Sequence, residues 1–387
     1  MRTPVVDLPD PSPEQQARSA ELAGALREEI DKHGPLPFAR FMERALYTPG
    51  LGYYSGGHRQ FGAQGDFITA PELGSVFARC LARQCAELLS AVRQGDLLEA
   101  GAGSGALARD LLLALERLDA LPDRYFILEL SGTLRARQHA TLKARAPHLL
   151  DRVSWIDTPP ADDFHGIILA NELLDALPAE RFRVTPNGVA ALAVGWNGTG
   201  FTWCELPAPD AVNERVGTLA LPHGYTSEVG LQGEAWVRTL GGAVAHGAML
   251  LIDYGFPRAE FYHEQRTQGT LMCHYRQRAH TDPLILIGLQ DITVHVDFTA
   301  VADAASAIGL DVLGYTSQAA FLTANGLEEI VAESDARNTR AHLDLTTEIK
   351  RLTLPSEMGE LFKVIALGRG IDKALRGFSL QDRRHRL

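Results

Sequence analysis

Apolar positions along this chain fall into two alternating rhythms. Short apolar runs at 97–100, 125–130, 153–156, 167–170 and 249–254 are separated early on by stretches of helical spacing at 106–118 and 132–146. That alternation predicts a doubly wound, mostly parallel sheet with helices on its faces. Upstream, Ala20, Leu22, Leu26 and Ile30 share one face of a helix over 14–33 that ends near Gly34, a second helix starts near Pro37, and a long one spans 72–92. The stretch 48–71 is dense in glycine and aromatics and too long for a simple connector, which marks it as a binding loop or lid. Residues 181–206 place Asn-Gly turns between β-rich runs and predict antiparallel hairpins, inserted as a flap. After a loop-rich block at 257–298 come a helix at 299–308, a strand at 311–315, helices within 317–352 and a last strand at 362–367. The last strand is expected to pair antiparallel with 311–315 at the edge of the sheet. The pattern divides the chain into a mobile tail (1–13), a helical region with the lid (14–95), a core (96–256, with an insert at 181–240), the loop block (257–298), closing elements (299–370) and a second tail (371–387).

The turn after the first core strand carries the strongest chemical signal. Residues 96–107 read DLLEAGAGSGAL. Gly101, Gly103 and Gly105 let the backbone turn sharply and approach a ligand, and a helix opens at Ala106. With Ala106 as the third small residue the turn also satisfies the dinucleotide pattern, so the glycines alone leave NAD and S-adenosylmethionine both open. Glu99, two residues before the first glycine, begins to separate them. An acid suits the ammonium and sulfonium of S-adenosylmethionine, whereas a pyrophosphate is better served by bare N–H groups.

Other acids stand where ligands of open α/β sheets bind, at the carboxyl ends of strands. Glu129, with Leu130 beside it, closes the second strand where a carboxylate can accept both ribose hydroxyls. Asp157 closes the third, where it can meet an adenine amino group. The fourth strand runs into ANELLDALPAERF at 170–182. There Asn171, Glu172 and Asp175 face the expected reaction centre, although helix capping or a solvated face would explain them as well. Within 269–298, His274, His280 and His295 are interleaved with Asp282, Asp291 and Asp297. Thr293, His295 and Asp297 alternate, so in an extended segment they would line one wall of a pocket. The final QDRRHRL reads as a solvated basic tail.

Composition narrows the classes. The chain has 387 residues, 45% hydrophobic and 22% charged, an ordinary balance for roughly two to three domain-sized units. A net charge of -11 argues against a nucleic-acid surface and favours cationic partners such as arginine-rich peptide segments. Four cysteines without metal spacing predict reduced thiols and no metal. No apolar run reaches bilayer length and the N-terminus lacks a hydrophobic signal core, so no membrane insertion is expected and the cytoplasm is the expected compartment. No Tyr-x-x-x-Lys pair, G-x-S-x-G elbow or P-loop offers a competing chemistry.

The blocks GPLPFARFMERALYTPGLGYYS, GDFITAPELG, EAGAGSGALARDLL, ILELSGTLRARQ, ANELLDALPAERF, GLQDITVHVDF and FKVIALGRG occur in this order over roughly 34–370. On them the chain closely resembles the MidA-like S-adenosylmethionine-dependent methyltransferases, a family that includes the mitochondrial complex I assembly factor that methylates arginine. The resemblance implies a class I methyltransferase sheet with helical N-terminal additions and S-adenosyl-L-methionine as cofactor. It assigns Glu99, Gly101, Gly103 and Gly105 to the cofactor loop, Glu129 to the ribose, and Asp66, Thr69 and Pro71 to a block over the methionine end. Thr69, Pro71 and Glu72 would equally start a helix. The implied reaction is N-methylation, with a protein arginine as the leading acceptor and a respiratory complex I subunit among the candidates. A small-molecule acceptor, or cofactor binding without turnover, remains compatible with the same cofactor residues. For guanidinium chemistry Glu172 is the first candidate acid, with Asp66 or Asp297 as helpers and Asp175 and His295 nearby in the reading.

Overall fold

In the computed structural model, which describes residues 8–56, 69–93, 95–160, 163–334 and 338–387, the apolar runs line up as the strands of one sheet. Numbered in chain order, its strands are β1 (Asp96–Ala100), β2 (Tyr125–Leu128), β3 (Val153–Ile156), β4 (Phe164–Asn171), β5 (Val244–Phe256), β6 (Asp311–Ser317) and β7 (Phe362–Arg369). Their spatial order is β3-β2-β1-β4-β5-β7-β6. The first five are parallel. β7 runs antiparallel to β5, from Gly247↔Arg369 to Tyr254↔Phe362, and antiparallel to β6 on its other side. The expected antiparallel pair therefore stands at the edge of the sheet, with β6 outermost and β7 joining it to β5. An all-parallel dinucleotide sheet would continue from the fifth strand to the sixth directly, so this order departs from it.

β4 and β5 extend beyond the predicted 167–170 and 249–254 because, as central strands, they are paired along both sides. Helices Val76–Ala91 and Ala106–Arg117 cover the sheet, packing Leu81, Leu88, Leu111 and Leu115 against Leu97, Leu169 and Leu250, all fully buried. The predicted helix at 72–92 is broken. Ala70–Leu73 forms one short turn, and the second helix starts at Val76, whose N–H donates to Glu348 Oε1 at 2.7 Å. A Cβ on Gly74 would lie 2.1 Å from Glu348 Oε2, so a side chain at that position would displace the Glu348 carboxylate. The final basic run does not float in solvent. Arg383 makes two bonds to Glu360 at 2.9 and 3.1 Å, Arg384 donates to Val312 O at 2.9 Å, and both anchor the run on β6.

The chain forms two compact units. This sheet, with a short further strand Val296–Asp297 beside β5, belongs to Thr69–Leu174, Glu234–Arg258 and Val296–Leu387; the other unit comprises the described parts of Met1–Ile68, Asp175–Gly233 and Ala259–His295. In the latter, Leu36–Pro37, Gly188–Trp196, Glu180–Thr185 and Thr226–Val229 pair in that order, with Phe201–Pro207 also on Gly188–Trp196. The predicted hairpins are present, and Asn197 Oδ1 closes the second by accepting from Thr199 and Gly200 N–H at 3.0 Å each. The helix predicted over 14–33 is Pro13–His33, opened by a Ser12–Gln15 capping box, and it buries Leu22 and Leu26 with Phe38, Phe41 and Met42 of helix Phe38–Tyr47. Residues 57–68, half of the predicted lid, lie outside the described residues, as do 1–7 of the predicted tail. No described helix is long and apolar enough to cross a membrane.

Candidate functional site

The carboxyl ends of β1, β2, β4 and β5 carry the chemistry. After β1 the chain turns through Gly101, Gly103 and Gly105 with φ of +70°, +51° and +81°, a left-handed path that side chains resist. At Gly105 a Cβ would also sit 2.9 Å from Gln138 Cα, so the third glycine is required by close approach as well as by torsion. The turn delivers the N-terminus of helix Ala106–Arg117, whose first N–H groups and dipole face the strand ends. Ser104 in the turn donates to Glu72 Oε1, and its carbonyl accepts from Thr141 Oγ1 at 2.8 Å.

Glu99 is 2% exposed and accepts from Tyr125 OH at 2.6 Å. Burial, relieved in part by that hydrogen bond, pushes its carboxyl up to about 7. Glu129, just past β2, is also buried, and burial raises it too. Its Oε1 accepts from Ser131 N–H at 2.8 Å and its Oε2 from Gln138 Nε2 at 3.1 Å. A carboxylate has about four lone-pair positions, so two such bonds leave it able to accept a ribose diol. Leu130 beside it is 78% exposed, an apolar surface at the ligand edge of the sheet. Asp157 follows β3 and is exposed. Within β3, Trp155 Nε1 donates to Gln138 Oε1 at 2.9 Å, and Gln138 Nε2 also reaches Gly103 O at 3.1 Å. Gln138, fully buried, thereby ties the glycine turn, the β2 acid and the β3 tryptophan together. The sequence reading passed over it. The available signal was an amide on an apolar stripe, since Leu134, Gln138 and Leu142 are the buried positions of their helix.

At the end of β4, Asn171 Nδ2 donates to Glu172 Oε1 at 3.1 Å, and Ala70 N–H donates to the same oxygen at 3.2 Å. Thr69 was expected to cap the short helix that starts there, but its side chain makes no capping bond, and Glu172 accepts from the first N–H. Pro71 sits in the first turn, as expected of a helix start. Asn171 Oδ1 is buried and has no hydrogen-bond partner. Glu172 has φ +51°, uncommon for a residue with a side chain. Asp253 on β5, 1% exposed, was not singled out in the sequence; its Oδ2 accepts from Leu173 and Leu174 N–H at 3.1 and 2.8 Å.

The remaining candidates stand elsewhere. Asp66 lies outside the described residues. Asp297 caps helix Phe298–Ser306 through Ala300 N–H at 3.1 Å and pairs with Arg258 at 3.2 Å, so both its roles are in the scaffold. The run 293–297 is not one strand: Asp291–Thr293 pairs with Met272–Tyr275, whereas Val296–Asp297 pairs with Gly255 and Phe256 of β5, which breaks the alternation expected of Thr293, His295 and Asp297. Asp175 and His295 belong to the other unit. There Asp175 is buried and its carbonyl accepts from Val294 N–H at 2.9 Å, while His295 N–H donates to Thr270 Oγ1 at 3.1 Å. Among the described residues no group of three or more His, Cys, Asp or Glu could hold a metal ion.

These features fit S-adenosylmethionine. The glycine turn runs left-handed through Gly101, Gly103 and Gly105, acids flank it at Glu99 and Glu129, and the buried Asn171 Oδ1 awaits a donor such as an ammonium.

Comparison with known proteins agrees with this geometry. Residues 80–316 match the model of a family described as "Putative S-adenosyl-L-methionine-dependent methyltransferase". A crystal structure from Burkholderia thailandensis, bound to S-adenosyl-homocysteine, is 46% identical with a TM-score of 0.95, covering 98% of this chain and 100% of that one. The mitochondrial protein arginine methyltransferase NDUFAF7 homolog of Drosophila melanogaster is 26% identical over 95% of this chain and 90% of its own. The mitochondrial protein arginine methyltransferase NDUFAF7 of Homo sapiens is 26% identical over 88% of this chain and 82% of its own. The expectation of a cytoplasmic protein is overturned by these relatives, which are named as mitochondrial.

Proposed function

The chain belongs to this family of S-adenosyl-L-methionine-dependent methyltransferases, and from that premise we propose that its acceptor is a nitrogen of an arginine guanidinium in a protein. Bound S-adenosylmethionine supplies an electrophilic methyl group on a sulfonium. Glu129, steadied by Ser131 and Gln138, takes the ribose hydroxyls, and Asn171 Oδ1 and Glu99 accept at the ammonium end.

The observation that carries the acceptor reading is Glu172. Its Oε1 is fixed by Ala70 N–H and Asn171 Nδ2, which sets the carboxylate at the end of β4 before any substrate arrives. A preset carboxylate suits a planar guanidinium, which it can hold through paired N–H···O bonds. Guanidinium is protonated at neutral pH, so a proton must leave as the N–CH3 bond forms, and Glu172 is the group placed to receive it. The net charge of -11 draws cationic acceptors toward the protein. The relatives named as protein arginine methyltransferases support the same acceptor, and a respiratory complex I subunit is the protein to test first.

Incubation of the purified protein with a protein extract and methyl-labelled cofactor should place label in protein, released as methylarginine on hydrolysis. Label confined to metabolites would replace a protein acceptor by a small molecule. Glu172→Gln should lower turnover by about 10²-fold or more, as expected for a lost acid-base group, with cofactor affinity nearly unchanged.

A further inference from the structure

The backbone at Glu172 is in a conformation that its own sequence does not favour, and something must hold it there. With φ +51° it occupies the left-handed region, which is strained for a residue with a side chain and persists only where surrounding bonds over-determine it. Backbone bonds on both sides of the residue supply that restraint. Glu172 N–H donates to Ile252 O at 2.9 Å, continuing the β4–β5 ladder one residue past Asn171↔Ile252. The next two N–H groups, of Leu173 and Leu174, leave the ladder and converge on one oxygen, Asp253 Oδ2. Asp253 Oδ1 accepts from its own neighbour, Tyr254 N–H, at 2.8 Å, which fixes the carboxylate plane.

We propose that Asp253 is a positioning residue for methyl transfer: its buried carboxylate gathers the Leu173 and Leu174 N–H groups, locks Glu172 in the left-handed conformation and so aims the Glu172 carboxylate at the acceptor. This rests on the reading of Glu172 as the acceptor acid. Asp253 itself does not touch the substrate. It is 1% exposed, and its oxygens are engaged by three backbone donors. An amide in its place keeps the shape but can accept at one atom only, so either the two turn donors or Tyr254 N–H loses its partner.

The test is a double-mutant cycle on the full-length protein. Asp253→Asn should lower kcat at least tenfold while leaving the dissociation constant of S-adenosylmethionine within twofold. In a Glu172→Gln background the same change should alter kcat less than twofold, because the carboxylate it aims is already gone. Losses that multiply, or an unchanged kcat in Asp253→Asn with a slow Glu172→Gln, overturn the positioning role alone. Wild-type turnover in Glu172→Gln removes the acceptor reading itself, and this proposal with it. Should Asp253→Asn fail to fold, hydrogen exchange on the unaltered protein decides: Leu173 and Leu174 amides should be protected like those of β5, and rapid exchange overturns the clamp.

Discussion

Glu129 and Glu172 both follow a strand of the same sheet, yet they are held in opposite ways. Glu129 is steadied through its side chain by a near neighbour, Ser131, and by Gln138 from the following helix, close partners in sequence. Glu172 also has side-chain bonds, from Asn171 Nδ2 and Ala70 N–H, but its backbone is in a left-handed conformation that it would not choose alone, bonded to Ile252 and followed by two N–H groups gathered by Asp253, some 80 residues away. The first arrangement is a local motif suited to recognising a constant part of a ligand. The second stores strain at the residue proposed to meet the acceptor. Perturbing Glu129 and its supports should therefore change cofactor affinity and spare kcat at saturation, whereas perturbing Glu172 and its supports should do the reverse.

The sharpest way to break that division is Gly105→Val. The new side chain meets Gln138 backbone and a φ of +81°. The strain of roughly 1–2 kcal/mol, together with overpacking of about 1–3 kcal/mol, predicts cofactor affinity lowered about a hundredfold by calorimetry. A loss confined to kcat would erase the distinction between the two sides. Next in size, Gln138→Leu leaves Gly103 O, Glu129 Oε2 and Trp155 Nε1 short of a partner. Buried groups so abandoned cost about 1–3 kcal/mol each, partly recovered by relaxation, and the expected result is about tenfold weaker cofactor binding with kcat retained and a lower melting temperature. Unchanged affinity would show that the hub does not act on the cofactor.

The smallest effect is a pH dependence. Glu99 is raised from 4.5 to about 7, so the folded apoprotein prefers it protonated. The stability this lends is complete below 4.5 and is lost as pH climbs through about 7. An ammonium bound beside it requires the ionised form, so cofactor affinity should rise about fivefold between pH 6 and 8, with a proton released on binding. Glu99→Gln should flatten that profile. A profile unaltered by the substitution would detach Glu99 from the ammonium.

The same contrast governs what could be read from the amino-acid sequence. Strands β1 to β5, the glycine turn and the positions of Glu99 within β1 and Glu129 just past β2 are short-range patterns of apolar runs, glycine and charge, and they were legible. Asp253 was not, because nothing in LLIDYGF distinguishes an acid that gathers remote N–H groups from an ordinary polar strand residue. Gln138 hid for the converse reason, being a polar residue whose partners come from three separate elements. The alternation of Thr293, His295 and Asp297 misled, since period-two spacing implies a shared face only where one strand runs unbroken, and here residues 294 and 295 fall between two pairings. The basic run at 381–387 misled similarly: charge density predicted solvation, but Glu360 and the carbonyls of β6 supplied acceptors.

The position of β7 has a consequence for biosynthesis. Although it is the last strand in chain order, it lies between β5 and β6 and pairs with β5 over eight residues. A nascent chain that has delivered β1 to β6 still lacks the partner that joins them, and it carries two open strand edges until residue 369 has left the ribosome. A premature stop before Phe362 would thus remove the strand that joins β6 to the rest of the sheet, leaving an unclosed, sticky intermediate for chaperones and proteases to clear.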